Sequence, residues 1–224
     1  MARGAKLRDG IAACHQARGR RCHPDVLCQG GGPLAGRVLN RFHYFAYGSN
    51  LLTGRLTASN RCPSARYFAN AYVDHFTLDF SKVGEDGSGK AALIPSRGKR
   101  AHGVVFEIDA SEREPLDKAE PGYRREDGFE AMVADTGACK TVTTYIVLED
   151  CRNLNLKPFD WYLALVVAGA LEHRFPAPVI AAYRDTATWV DEDKKRTFEM
   201  NALLQKAGFG STRQVLGLSG PTAR

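Results

Sequence analysis

Tyr44-Phe45-Ala46-Tyr47-Gly48-Ser49-Asn50-Leu51-Leu52 runs from a short aromatic stretch straight into a Gly-Ser-Asn turn. The pattern from His43 to Tyr47 suits a buried strand, and the break at Gly48 suits a loop at its end. Glycine lets the backbone pass close to a ligand, and successive exposed N–H groups form a nest for an anion or oxyanion. A plain tight turn explains the same residues, so the motif gains meaning only from its neighbours.

Downstream, Tyr67 to Phe80 is rich in aromatic and β-branched residues, with Phe76, Leu78 and Phe80 alternating against Thr77 and Asp79. A polar, glycine-rich loop over Gly84 to Lys90 follows, then two expected strands, Ala91 to Pro95 and His102 to Ile108, separated by basic turn residues. Ser111 reads as an N-cap with Glu114 as its capping-box partner, predicting a short helix over 112–119. Phe129 to Val133 and Thr141 to Leu148 form a plausible strand pair. The last third reads as helical: one helix opened by Pro158 and running to Phe175-Pro176, a second over 177–185 and a third over 190–207, ending at Gly208. Strands first and helices afterwards predict an α+β fold, a small mixed β-barrel or strongly curved sheet packed by helices.

Upstream, residues 1–41 hold eight Lys or Arg against two Asp, which accounts for the net charge of +6. Gly30-Gly31-Gly32-Pro33 reads as a linker. The expected organisation is a basic, disordered extension over 1–37, a domain over 38–210 and a C-terminal tail over 211–224. A basic tail is more often solvated than bound to nucleic acid, so no nucleic-acid partner is expected. No apolar run is long enough for a membrane helix, and no secretory h-region opens the chain. The six cysteines include no CxxC, and Cys14-His15 and Cys22-His23 match no zinc spacing, so neither metal nor disulfide framework is expected. Reduced thiols in the cytoplasm are the default.

A second chemical feature is Leu116-Asp117-Lys118-Ala119-Glu120-Pro121-Gly122-Tyr123. A carboxylate at the end of a short helix, before a Pro-Gly turn and an aromatic, can be shielded from water and have its pKa raised for proton transfer. Taken alone, a Glu in that place is usually a surface charge.

In order along the chain, these motifs resemble the gamma-glutamylcyclotransferase family. Tyr44 to Leu52 is similar to its N-terminal signature, and Phe76 to Phe80 to its second strand. Ala91 to Pro95 with Gly103 to Phe106 is similar to the next two strands. Leu116-Asp117 with Glu120 and Tyr123 resembles the catalytic stretch, and Trp161-Tyr162 with Gly169-Ala170 and Pro176 resembles a helix that supplies a substrate-contacting tyrosine. The likeness covers residues 43–180. Pro121 departs from it, standing where the family has a glycine straight after its catalytic Glu, and the interval to Tyr123 is short.

The resemblance implies a cofactor-free, metal-free enzyme that converts a gamma-glutamyl amino acid or amine to 5-oxoproline and a free amine. Glu120 would be the general base and then acid. Tyr47, Gly48, Ser49, Asn50, Leu51, Tyr123 and Tyr162 would bind substrate. The partner implied is a small gamma-glutamyl molecule, with no membrane and with a homodimer left open. Gamma-glutamyl dipeptides, gamma-glutamylamines, glutathione or a protected biosynthetic intermediate all fit. Amide hydrolysis, acyl transfer and a non-catalytic binding module on the same fold are the alternatives. Arg55, Arg124 and Arg125 lie near the motifs but are read as surface cations, His43 and His75 as structural, and Cys62 as lacking a His partner for nucleophilic work.

Overall fold

Five strands and six α-helices make up residues 40–218, the part of the chain that the computed structural model describes. The expected extension over 1–37 and its linker lie outside these residues. The strands are β1 (Arg41–Ala46), β2 (Arg66–Val83), β3 (Gly89–Asp109), β4 (Tyr123–Val133) and β5 (Cys139–Val147). They close in the order β1-β3-β2-β4-β5. All pairings are antiparallel except β5 with β1, which meet in parallel at Tyr44 and Thr143. Closure removes the sheet's edges. This is the small mixed barrel of the α+β expectation.

The alternating apolar residues of these strands point inward, and Phe45, Leu93, Val104, Phe106 and Ile108 are wholly buried. Each contributes about 1.5–3 kcal/mol by leaving water. One expectation fails in the longest hairpin. The two strands foreseen at 91–95 and 102–108 are a single strand, β3. Ser96 to Lys99 bulge outward opposite His75, as the register passes from Asp74↔Arg100 to Phe76↔Pro95. His75 takes a left-handed conformation (φ 64°), and its Nδ1 accepts the N–H of Gly98 at 3.1 Å. A basic loop-like sequence is thus a bulge, not a turn.

The helices are α1 (Thr53–Leu56), α2 (Arg113–Lys118), α3 (Asp160–Glu172), α4 (Ala177–Arg184), α5 (Lys194–Lys206) and α6 (Thr212–Leu216). Three boundaries differ from expectation. Asp109, not Ser111, caps the turn before α2, accepting from the Ser111 N–H at 3.0 Å, while Glu114 pairs with Lys118. The third helix starts at Lys194 rather than 190, because Asp191 is held in the preceding loop by Trp161 Nε1 at 2.7 Å and Arg196 at 2.6 Å. Finally, the segment read as a tail from 211 contains α6, whose Ser211 forms a full capping box and whose Val215 and Leu216 are buried.

Helix α3 is apolar on all sides and buried from Trp161 to Ala170. A helix of that kind needs cover all round. It contacts α4, α5, α6 and the tight turn Ser49–Leu51 that leaves the barrel at the end of β1. That contact places the site.

Candidate functional site

The Gly48–Leu52 loop is fixed against α3 by close packing. A Cβ on Gly169 would lie 2.4 Å from the Leu51 Cβ and 2.5 Å from the Leu52 N, so only glycine lets the loop backbone rest on the helix. The far end of α3 holds the same loop. Glu172 accepts the Thr53 N–H at 2.8 Å, and the His173 ring nitrogen lies 3.0 Å from the Leu51 carbonyl. Gly48 meets a second constraint, since a Cβ there would lie 2.8 Å from the Ala91 Cβ.

Packed this way, the loop has little freedom to satisfy its own donors. The Leu51 N–H returns to the Gly48 carbonyl at 3.0 Å. The N–H groups of Gly48, Ser49 and Asn50 have no hydrogen-bond partner among the described residues. Unpaired backbone donors in a half-enclosed place are costly unless a ligand or water meets them.

Glu120 arrives from the other side. Leu116 of α2 is wholly buried, and Asp117, one turn before Glu120, is held by the Tyr145 hydroxyl at 2.7 Å and by Arg125. Pro121 and Gly122 then occupy the middle of a turn in which the Tyr123 N–H reaches the Glu120 carbonyl at 3.3 Å. Gly122 has φ 79°, which suits the third position of a type II turn with Pro at the second. The Pro121 departure is therefore accommodated as a tight reversal, and it brings Tyr123 back to the same cavity as Glu120.

Tyr44, Tyr47, Gly48, Ser49, Asn50, Ala91, Glu120, Tyr123, Tyr145 and Tyr162 line this cavity. Its volume is about 30 Å³, close to one water molecule. It adjoins a wider cleft of about 430 Å³ with which it shares Ser49, Glu120, Tyr123 and Tyr162.

The Glu120 side chain is 17% exposed; Asn50 Nδ2 donates to its Oε1 at 2.7 Å, and Arg61 lies 3.8 Å away. Arg61 also donates to Asn50 Oδ1 at 3.2 Å, and Asn50 Nδ2 to the Tyr44 hydroxyl at 3.1 Å. Burial raises the Glu120 pKa, while Arg61, Asn50, Arg55 and Lys82 act against that rise. The result is a carboxyl displaced toward neutral pH, as a proton shuttle requires. The tyrosines are pushed up by burial and stay protonated. Tyr162 accepts the Ala91 N–H at 3.1 Å, the Tyr123 hydroxyl donates to the Ala91 carbonyl, and the Tyr47 hydroxyl donates to the Tyr145 carbonyl.

Seven of the eight residues singled out from sequence therefore line one cavity. Leu51 does not: its side chain is wholly buried against Gly169, and it shapes the loop from below. Sequence reasoning passed over Tyr44, Tyr145, Arg61 and Arg55. Arg55 is not a surface cation, since it lines the outer cleft and donates through Nε to Ser49 Oγ at 3.0 Å. Arg124 and Arg125 do form outward ion pairs, with Glu126 at 2.9 Å and Asp127 at 3.0 Å. Burial drives the Cys62 thiol up to about 12, far from nucleophilic use. Among the described residues no three His, Cys, Asp or Glu side chains gather to hold a metal ion, and no helix is long and apolar enough to cross a membrane.

The described site coincides with a family match. The model of the family "Gamma-glutamyl cyclotransferase, AIG2-like" matches residues 44–163, more than half of the 224. Curated gamma-glutamylcyclotransferases from Bos taurus and Homo sapiens are 43% and 40% identical over 84 residues, covering 35% of this chain. The aligned part spans 44% of the length of those relatives. A solved structure named gamma-glutamyl cyclotransferase superposes with a TM-score of 0.64 at 26% identity, over 75% of this chain and 99% of that one. An uncharacterized human protein gives 0.60 at 27%, over 71% and 98%. With the barrel, the glycine loop and the family match in register over β1 to the start of α3, the chain belongs to the gamma-glutamyl cyclotransferase, AIG2-like family.

Proposed function

We propose that the protein is a gamma-glutamylcyclotransferase, releasing 5-oxoproline and a free amine from a gamma-glutamyl amino acid or amine. The observation that carries this reading is one cavity lined by a shielded carboxylate and by three successive residues whose backbone N–H groups are unpartnered among the described residues. The substrate's γ-carbonyl oxygen sits toward the N–H groups of Gly48, Ser49 and Asn50, and its α-ammonium toward Glu120.

Glu120 takes a proton from the α-ammonium, and the freed amine attacks the γ-carbonyl carbon. The carbonyl oxygen takes the electron pair and is stabilised by the N–H groups. As the C=O bond re-forms, the bond to the leaving nitrogen breaks, and Glu120 returns its proton to that nitrogen. The second proton of the ring nitrogen passes by way of the carboxylate to the released amine, which departs as an ammonium. The five-membered lactam and the amine leave, with the carboxylate restored. Intramolecular attack avoids bringing two molecules together, so the protein's task is to hold the folded conformer. Tyr47, Tyr123 and Tyr162 wall the cavity and exclude water. Cys62 and Cys151 stand as thiols, which suits a reducing cytoplasm. The cavity is built from one chain's residues, so the reading does not depend on a homodimer.

The test is 5-oxoproline release from a panel of gamma-glutamyl dipeptides, gamma-glutamylamines and glutathione. Wild type should release it and Glu120→Gln should lose about 10²–10⁴-fold of the rate. Binding without turnover by either protein would point instead to a non-catalytic ligand-binding module.

A further inference from the structure

Five cations line the outer cleft, and three of them are already neutralised. Arg61 lies by Glu120 at 3.8 Å, Lys90 pairs with Asp86 at 2.7 Å, and Arg196 with Asp191 at 2.6 Å. Arg55 and Lys82 form no ion pair within 4.0 Å among the described residues, though both act on Glu120 from further off. Both are largely withdrawn from water. Burial lowers the Arg55 pKa to about 10, and Lys82 is 6% exposed, its Nζ 5.3 Å from the centre of the Tyr123 ring. Glu85, the other carboxylate of the cleft, is exposed and solvated at the rim.

A buried cation without a counter-charge is unfavourable in the empty protein, and it becomes favourable when a ligand supplies the charge. The positions of the two differ. Lys82 abuts Gly122 and Tyr123, on the turn that carries Glu120. Arg55 is bonded through Nε to Ser49 Oγ at 3.0 Å, beside the unpaired N–H groups. With the α-ammonium at Glu120, the adjoining α-carboxylate falls on the Lys82 side. What hangs from the γ-carbonyl on its amide nitrogen falls on the Arg55 side. A gamma-glutamyl amino acid carries one ammonium and two carboxylates; the ammonium meets Glu120, which Arg61 also borders at 3.8 Å, and Arg55 and Lys82 stand without an ion-pair partner for the two carboxylates.

We infer that Arg55 is a specificity residue that binds the carboxylate of the leaving group, so that the enzyme favours gamma-glutamyl amino acids over gamma-glutamylamines. This rests on the cyclotransferase reading and deepens it. An arginine fork suits a carboxylate in two-point contact, and its Nε bond to Ser49 aligns it beforehand.

The experiment compares gamma-glutamylalanine with gamma-glutamylethylamine, which differ only in that carboxylate, for wild type, Arg55→Gln, Arg55→Lys and Lys82→Gln. Wild type should favour the alanine compound by about 30- to 100-fold in kcat/KM, the usual worth of a charged hydrogen bond. Arg55→Gln should bring the ratio down to within about threefold, with Arg55→Lys in between. Any disturbance of Ser49 falls on both substrates and cancels in the ratio. Lys82→Gln should weaken both compounds together and preserve the ratio. Equal use of both compounds by wild type, or a ratio that survives Arg55→Gln, would overturn the inference while leaving the cyclotransferase intact. If no 5-oxoproline appears from any substrate, the functional reading fails, and calorimetric titration of the same pair still decides for Arg55. Tighter binding of the alanine compound, lost in Arg55→Gln, supports it, and equal binding refutes it.

Discussion

The groove between the β2–β3 hairpin and α4 has a volume of about 610 Å³, twenty times that of the tyrosine-lined cavity at about 30 Å³. Its walls are Leu78, Phe80, Pro158, Val179 and Tyr183; of its charges, Arg100 pairs with Asp74 at 2.8 Å and Asp79 with Arg152 at 3.7 Å, and Lys157 is exposed. The small cavity has a carboxylate moved away from its ordinary pKa, unpaired backbone donors and five tyrosine hydroxyls. Chemistry, not volume, distinguishes the two. A site for a reaction must hold groups the fold itself leaves unsatisfied, whereas an apolar groove needs nothing from a ligand.

The contrast can be broken most directly by charge. Glu120→Gln should cost about 10²–10⁴-fold in kcat, while Ala182→Glu, a charge placed in the groove, should leave kcat within about twofold. Comparable losses from both would erase the distinction. Next in size is the loop's bed. Gly169→Ala must push the Leu51 backbone away from α3, so the N–H groups leave their places. We expect a loss of about 10- to 100-fold in kcat/KM together with about 1–3 kcal/mol of stability, read from urea unfolding. An intact rate would mean that the loop's position is not what the reaction uses.

The pH profile sharpens the same comparison. As the proposed general base Glu120 would act in its ionised form, and burial raises its pKa, so the acid limb of kcat/KM should lie above the ordinary glutamic value of about 4.3. Arg61 is the largest influence opposing that rise. Arg61→Gln should therefore move the limb to higher pH, and a limb that stays put or moves down would contradict the assignment. The smallest effect is on stability. Because the folded pKa lies above the unfolded one, the carboxyl favours folding most when protonated. Its contribution falls as pH rises from about 4.3 through the raised value. Glu120→Gln should then unfold at a higher urea concentration than wild type near pH 7, an inactive protein more stable than the active one. A lower midpoint would show that the carboxylate stabilises the fold.

Much of this was legible in the chain. The strand alternation at Phe76 to Phe80, the break at Gly48 and the cap-like end before Pro121 are local features, and local features survive reading in one dimension. What escaped reading depends on contacts between distant residues. The run Ser96 to Lys99 has the composition of a turn, yet its partner strand carries it as a bulge. Leu51 follows the loop residues directly, but α3 draws it into the core. Arg55 and Arg124 look alike in sequence, and only the fold turns one into the cleft and the other outward. Tyr145 gives no signal of its own, because it reaches the cavity only when β5 closes the barrel on β1.

The most direct test is a crystal structure of the protein with bound 5-oxoproline. The account predicts the lactam carbonyl oxygen accepting from the N–H groups of Gly48 to Asn50, with the ring N–H facing Glu120. Product seated in the apolar groove, or in the cleft with those groups untouched, would contradict it.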